Sequence, residues 1–262
     1  MRKINNKVEI ENIISFIREK FQEAGKTKAV IGLSGGIDSS VSAVLTQKAL
    51  GEDNILGLML PYKKSHPDSL NHAQILIEKF SIPNKIIDIS PMIDAYFDNY
   101  EPNASKLRIG NRAARERMCV LYDYSAKIDA LVVGTGNKSE LYVGYLTQFG
   151  DGACAMEPIG HLYKTEVRRI ANELRIPHEI IDKKPTADLW EGQTDEKEMG
   201  ISYRKLDAIL HQLIDLKKDI DSIELESITK KEIKRVRNMI MKSAFKRELP
   251  DIPKLSEENY KC

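Results

Sequence analysis

The sequence predicts an α/β fold, a doubly wound parallel sheet with helices on both faces. Three observations carry that prediction. Four short apolar runs, at 28–33, 55–60, 85–89 and 130–133, read as buried strands. Segments with apolar residues at helical spacing separate them. The first run breaks at Ser34-Gly35-Gly36 and passes straight into a further helical segment, the form of a strand, a tight turn and a helix.

Residues 7–24 place Val8, Ile10, Ile13, Ile14, Ile17 and Phe21 on one helical stripe. After the first strand a helix runs to about Leu50, and Gly51-Glu52-Asp53-Asn54 is a turn. Ile55-Leu-Gly-Leu-Met-Leu60 is the second strand, ended by Pro61, and a helix from Asp68 to Phe80 follows. Lys85–Ile89 is the third strand, Met92–Tyr100 a helix, Gly110–Lys127 a long helix, and Ala130–Val133 the fourth strand. Parallel strands joined this way need right-handed crossovers, which cover both faces of the sheet. A helix over Lys164–Leu174 stops ahead of Pro177. Residues 182–200 are rich in Pro, Asp, Glu, Gly and Lys with no period, which is long for a structureless loop and marks it as functional or mobile. Helices at 202–215 and 229–244 close the chain, and the residues after Pro250 read as loosely ordered. With no internal repeat or low-complexity linker, one domain over 1–262 is expected.

A chain of 262 residues can bury a sizeable α/β core. It has no apolar run of membrane-spanning length, and Met1-Arg-Lys-Ile-Asn-Asn-Lys7 lacks the apolar stretch of a signal peptide. Cys119, Cys154 and Cys262 form no C-x-x-C, so neither a disulfide framework nor a zinc ribbon is expected, and a reducing cytoplasm fits. Cys119, flanked by Met118, Val120 and Leu121, reads as a packed core thiol. The net charge of +1, with both signs interspersed, argues against an extended nucleic-acid surface. The five histidines share no metal-ligand spacing.

The segment Gly32-Leu33-Ser34-Gly35-Gly36-Ile37-Asp38-Ser39 carries the chemistry. Its glycines let backbone N–H groups approach an anion, and the helix behind them aims its positive end at the same spot. Asp38 supplies a carboxylate for a Mg²⁺ ion bridging to phosphate oxygens, and Ser34, Ser39 and Ser40 supply hydroxyls. No Lys follows the glycines, so this is not a Walker A loop, and it is not Gly-x-Gly-x-x-Gly. The fourth strand leads into Gly134-Thr-Gly-Asn-Lys-Ser-Glu140. In an open α/β sheet both loops reach one crevice at the strands' carboxyl ends, where Thr135 offers a hydroxyl and Glu140 a second carboxylate. Ser-Gly-Gly-x-Asp-Ser-Ser resembles the PP-loop of the ATP pyrophosphatases. That resemblance implies a Rossmann-like PP-loop fold and cleavage of ATP between its α and β phosphates.

Further motifs follow in order. They are Ala114-Arg-Glu-Arg-Met118, Val133–Glu140, Phe149-Gly-Asp-Gly152, Pro158-Ile-Gly-His-Leu-Tyr-Lys-Thr165, Lys184-Pro-Thr-Ala-Asp-Leu-Trp190 and Asp195-Glu-Lys-Glu-Met-Gly200. With the PP-loop they resemble the ammonia-dependent NAD synthetases from about residue 8 to about residue 250. The resemblance implies that the carboxylate of deamido-NAD (nicotinic acid adenine dinucleotide) attacks the α phosphorus of ATP. Pyrophosphate leaves, and ammonia converts the adenylate to NAD and AMP. By position it implies that Gly32, Leu33, Ser34, Gly35, Gly36, Ile37, Asp38, Ser39, Thr135, Lys164 and Thr186 bind ATP. Asp38 and Glu140 would hold Mg²⁺, and Arg115, Gln148, Phe245 and Lys246 would lie along deamido-NAD. Lys164 and Asp151 would be catalytic, Asp151 as the acceptor of a proton from ammonium.

Against these roles stand plainer ones. Arg115 and Arg117 lie on a polar helix face that solvent alone would satisfy, Thr186 after Pro185 would cap a turn, and Trp190 is either a core anchor or part of a lid. Many relatives carry Lys where this chain has Gln148, Asp where it has Ala155, and a His-Lys pair where it has Phe245-Lys246, a pattern read as a subgroup trait. The resemblance further implies a homodimer, and, since the amidase domain of the glutamine-dependent enzymes has no counterpart here, free ammonia or a separate amidotransferase subunit as the donor. A tRNA-thiolating relative would need paired cysteines and a basic surface. A regulatory module would not need two carboxylates placed for one metal.

Overall fold

Residues 2–63, 67–186 and 192–253 are described by the computed structural model. The first helix, α1 (Asn6–Glu23), begins where the Asn5 side chain accepts the Val8 N–H, and it buries Ile10, Ile13, Ile14, Ile17 and Phe21. Strand β1 (Lys28–Gly32) leads through the glycine turn into α2 (Ile37–Leu50), whose residues from Ser39 to Gln47 are all buried. Then come β2 (Ile55–Met59), α3 (Pro67–Phe80), β3 (Asn84–Ile86), α4 (Ser90–Tyr100), α5 (Lys106–Ile128) and β4 (Ala130–Val133). The second half holds α6 (Lys138–Val143), α7 (Lys164–Glu173), α8 (His178–Ile181), α9 (Asp195–Met199), α10 (Tyr203–Leu210) and α11 (Lys230–Lys242).

The four strands are parallel, in the order β3-β2-β1-β4. Side chains alternate along β1. Ala29 and Ile31 join the cluster formed with α1, α2, α3 and α7, whereas Val30 joins the one formed with α4 and α5. The doubly wound sheet expected from the sequence is therefore observed, with a separate apolar cluster under α6, α10 and α11. Because β4 lies beside β1 while β2 lies on its other side, the strand order reverses at β1, which opens a crevice at the carboxyl ends of β1 and β4.

The differences from expectation are local. The third strand is shorter than 85–89, though Ile87 and Ile89 still donate to Met59 O and Pro61 O, so the pairing runs on past the regular ladder. Helix α5 starts before Gly110, because Ser105 caps it through the Arg108 N–H. The helix expected over 202–215 is α10 followed by a single π-helical turn, His211–Asp215. The stretch 182–200 contains α9, while residues 187–191, Trp190 among them, lie outside the described residues, as does most of the segment after Pro250. Cys119 is exposed rather than packed in the core. Its neighbours Met118 and Leu121 turn toward the crevice, and Cys119 sits a helical step around from them on the outer face of α5.

The turn after β1 is pinned from outside. Gly35 has φ +70°, and a Cβ there would run into the backbone carbonyl of Ser69 in the first turn of α3. Gly25 has φ +62° with nothing near its missing Cβ. Gly25→Ala therefore meets only the left-handed strain, about 1 kcal/mol, whereas Gly35→Ala meets strain and collision together and costs about 3 kcal/mol or more. Thermal denaturation of the two variants side by side checks the ordering, and equal losses would show that the contact with α3 does not constrain the turn.

Candidate active site

The crevice is a cavity of about 590 Å³, within the range that holds a small-molecule ligand. One wall is the turn after β1. Ser39 Oγ donates to Gly36 O at 3.0 Å and lies 3.1 Å from Ser34 Oγ, and Ser40 Oγ donates to Gly36 O at 2.8 Å. These bonds hold the turn in shape while Gly36, the N-cap residue of α2, offers no side chain to cap the helix. The leading N–H groups of α2 and its positive end thus face the cavity.

The opposite wall is the loop from β4 to α6. Asn137 caps α6 by accepting the Glu140 N–H at 3.1 Å, and its side-chain amide donates to Asp38 Oδ1 at 3.0 Å, so one residue fixes both loops to each other. The Lys164 ammonium, at the first position of α7, donates to Asp38 Oδ2 and, at 2.9 Å, to Glu140 Oε1. Its side chain is 4% exposed and the two carboxylates 16% each. Burial works against the charged lysine, but Asp38, Glu140 and Asp195 outweigh it and hold the ammonium above the ordinary lysine range. Burial raises Glu140 to about 7, against the pull of Lys164. The Tyr203 hydroxyl stands 3.1 Å from Glu140 Oε1 and 2.9 Å from Asp195 Oδ2, one proton serving two acceptors, and the Tyr145 hydroxyl also acts on Asp195.

Gly32, Leu33, Ser34, Gly36, Ile37, Asp38 and Ser39 line the cavity, as do Thr135, Glu140, Asp151, Lys164, Thr186 and Lys246. Gly35 does not, because it is turned against α3. Arg115, Gln148 and Phe245 also lie off the cavity wall. Arg115 Nε donates to Gln148 O at 3.3 Å, and Phe245 is 58% exposed. Lys246 Nζ donates to Gly144 O and Leu146 O, both at 2.8 Å. Asp151 presents surface to the open cavity, yet its carboxyl is hemmed in. That crowding raises it above the usual carboxylate range, against the Thr147 N–H that it accepts at 2.9 Å and the nearby charge of Lys246.

Some cavity residues have no role assigned to them from the sequence, although Arg117 and Asp195 fall within motifs of the resemblance. Arg117 is not a solvated surface charge, since its Nε donates to Leu60 O at 3.0 Å and the residue lines the cavity. Glu157 stands out only once the loops are folded together. Glu157 lies under the Gly134–Gly136 turn and accepts the Gly136 N–H at 2.7 Å. Atoms of Glu157 and Cys154 fill the space where a Cβ on Gly134 would go, and Glu157 with Leu141 crowds the one at Gly136, which accounts for both glycines. Burial pushes Glu157 up to about 8.

A carboxyl raised from 4.5 in the unfolded chain to about 8 in the fold binds more protons when folded. Its contribution is complete below about pH 4.5 and is lost as pH rises toward 8, at up to about 1.4 kcal/mol per pH unit. Glu157→Gln keeps the shape of the neutral carboxyl and removes the titration. Melting temperature followed from pH 5 to 8 should therefore fall less steeply in the variant, and parallel curves would show that Glu157 ionises freely.

The sequence model of the NAD synthase family matches residues 9–250. The NH3-dependent NAD(+) synthetase of Fusobacterium nucleatum is 51% identical over 251 residues, 95% of this chain and 97% of that protein. Among solved structures, the NMN synthetase of Francisella tularensis superposes with a TM-score of 0.86 at 32% identity, covering 97% of this chain and all of that one. The NH3-dependent NAD synthetase of Campylobacter jejuni gives 0.81 at 35% identity, covering 96% and 100%. A family match of this length, over the two loops and the lysine that meet in one crevice, shows that the chain belongs to the NAD synthase family, a family of ligases.

Proposed function

We propose that this protein forms NAD by ATP-dependent amidation of deamido-NAD with ammonia, releasing AMP and pyrophosphate. The observation that carries the reading is the meeting of Asp38, Glu140 and Lys164, from three separate elements, beside a turn built to receive phosphate. In this reading the β1–α2 turn and the positive end of α2 hold the β and γ phosphates, so that the bond to the α phosphorus is the one that breaks. Lys164 places positive charge where the departing oxygen gathers negative charge. Thr135 and Thr186 line the same cavity and fix the rest of the nucleotide.

The donor set suits Mg²⁺. Asp38 and Glu140 are hard oxygen ligands facing one cation, and Asp195 lines the same cavity. Among the described residues no three His, Cys, Asp or Glu side chains form a group that could hold a metal ion by themselves, so the proposed ion would need oxygens from the substrate as well. Bound there, the ion would neutralise charge on the pyrophosphate. Asp151, with its raised affinity for protons, would accept one from ammonium on its way to the activated carbonyl. Lys246 at the cavity edge, with Arg115, Gln148 and Phe245 behind it, would stand along the dinucleotide. The proposal extends to a homodimer in the cytoplasm; among the described residues no helix is long and apolar enough to cross a membrane.

The test is NAD formation from deamido-NAD, Mg-ATP and ammonium, with glutamine and the deamidated mononucleotide as competing donor and acceptor. The mononucleotide belongs in the assay because of the likeness to an NMN synthetase and the changes at Gln148, Ala155 and Phe245. AMP and pyrophosphate should appear only with an acceptor, faster with the dinucleotide. ADP and orthophosphate would sink the reading. Lys164→Ala should lower kcat by about 100-fold or more. Asp151→Asn should spare pyrophosphate release and lose ammonia-dependent turnover, and unchanged turnover would remove Asp151 from the mechanism.

A further inference from the structure

Asp207 is a carboxylate with no exposed surface, on α10, between the core residues Leu206 and Ile209. No ammonium or guanidinium is hydrogen-bonded to it among the described residues. What reaches it are the beginnings of two helices. Its Oδ1 accepts the Ser139 hydroxyl at 2.5 Å, from the first turn of α6. Its Oδ2 accepts the Thr165 N–H at 2.9 Å, from the first turn of α7, and the Thr165 hydroxyl joins it. Ser139 Oγ in turn accepts the Lys164 N–H at 2.9 Å. The backbone of α7 at Lys164 and Thr165 is thus held by Asp207, once through Ser139 and once directly. The residue after Ser139 is Glu140. Both partners of the central ion pair are carried by backbone that this one carboxylate grips.

We propose that Asp207 is a positioning residue of the reaction, which through Ser139 and Thr165 sets the two helix starts so that the Lys164 ammonium stands against Glu140 and Asp38. The inference rests on the proposed ligase activity but names a residue that touches neither substrate nor metal. A carboxylate is required by counting. Three protons converge on two oxygens, whereas an asparagine offers one acceptor and two more protons. The amide introduced by Asp207→Asn fits the same space only by turning its NH₂ group toward Ser139 Oγ, which displaces the hydroxyl proton from its place between the helices. A shift of about 1 Å at a catalytic group costs on the order of 100-fold in rate.

The decisive experiment is a double-mutant cycle of Asp207→Asn with Lys164→Ala, read in kcat and in KM for ATP. Alone, Asp207→Asn should lower kcat about 10- to 100-fold and leave KM for ATP within about threefold. In the Lys164→Ala background it should change kcat less than about twofold, because the group it places is gone. If its cost is the same in both backgrounds, Asp207 merely supports the fold and the proposal is overturned. Ser139→Ala, which cuts the bridge to Lys164 alone, runs the same cycle if Asp207→Asn does not fold. A wild type that yields no AMP and pyrophosphate would refute the ligase reading itself, and the positioning claim is then decided by a crystal structure of either variant. There Lys164 Nζ should move off Glu140 by about 1 Å, and an unmoved ammonium overturns the claim.

Discussion

The site is organised by one buried cation held between two carboxylates. Lys164 comes from the start of α7, Asp38 from the first turn of α2 and Glu140 from α6, so no local segment can assemble the three. Each alone would be costly to bury, and each depends on the others being present. The sheet supplies the meeting point. Because β4 lies beside β1, the turns leaving them open at the same end, and Asn137 ties one turn to the other through Asp38. The charges do not balance. Asp38, Glu140 and Asp195 act on a single Lys164, and Glu140 rises to about 7 as a result of its burial. It is this excess of carboxylates, beside the positive start of α2, on which the proposed roles in binding Mg²⁺ and phosphate rest.

What could be read in the sequence follows from how local each signal is. Strands β1, β2 and β4 are apolar runs that need no partner to be recognised, and the β1–α2 turn declares itself through glycine, serine and aspartate in a fixed order. Helix α6 gave no such signal. It has six residues, too few for an apolar stripe, and its start depends on the Asn137 cap. Cys119 misled because apolar neighbours in sequence are not neighbours on a helix face. Arg117 stays open in the sequence between a motif position and a solvated face, since only the fold brings Leu60 O within its reach. Asp207 and Glu157 look like ordinary polar residues until two helix starts and a glycine turn are packed on them.

The two ends of the cavity are built on different principles, and this bears on the departures from the relatives. Where the turns after β1 and β4 meet, the contacts that join them run from side chain to side chain, Asn137 to Asp38 and Lys164 to Asp38 and Glu140, so residue identity decides whether the arrangement exists. At the other end the loop around residues 144–152 is held mostly by its backbone. Arg115 takes the carbonyl of Gln148, and Lys246 takes the carbonyls of Gly144 and Leu146. A carbonyl is the same whatever side chain its residue bears. Replacing lysine by Gln148 therefore leaves the hold of Arg115 intact, and Phe245 contributes its carbonyl rather than its ring to the neighbouring Gln148 amide. The arrangement around Asp38 therefore depends on which side chains are present, and the loop around 144–152 depends more on where its backbone runs.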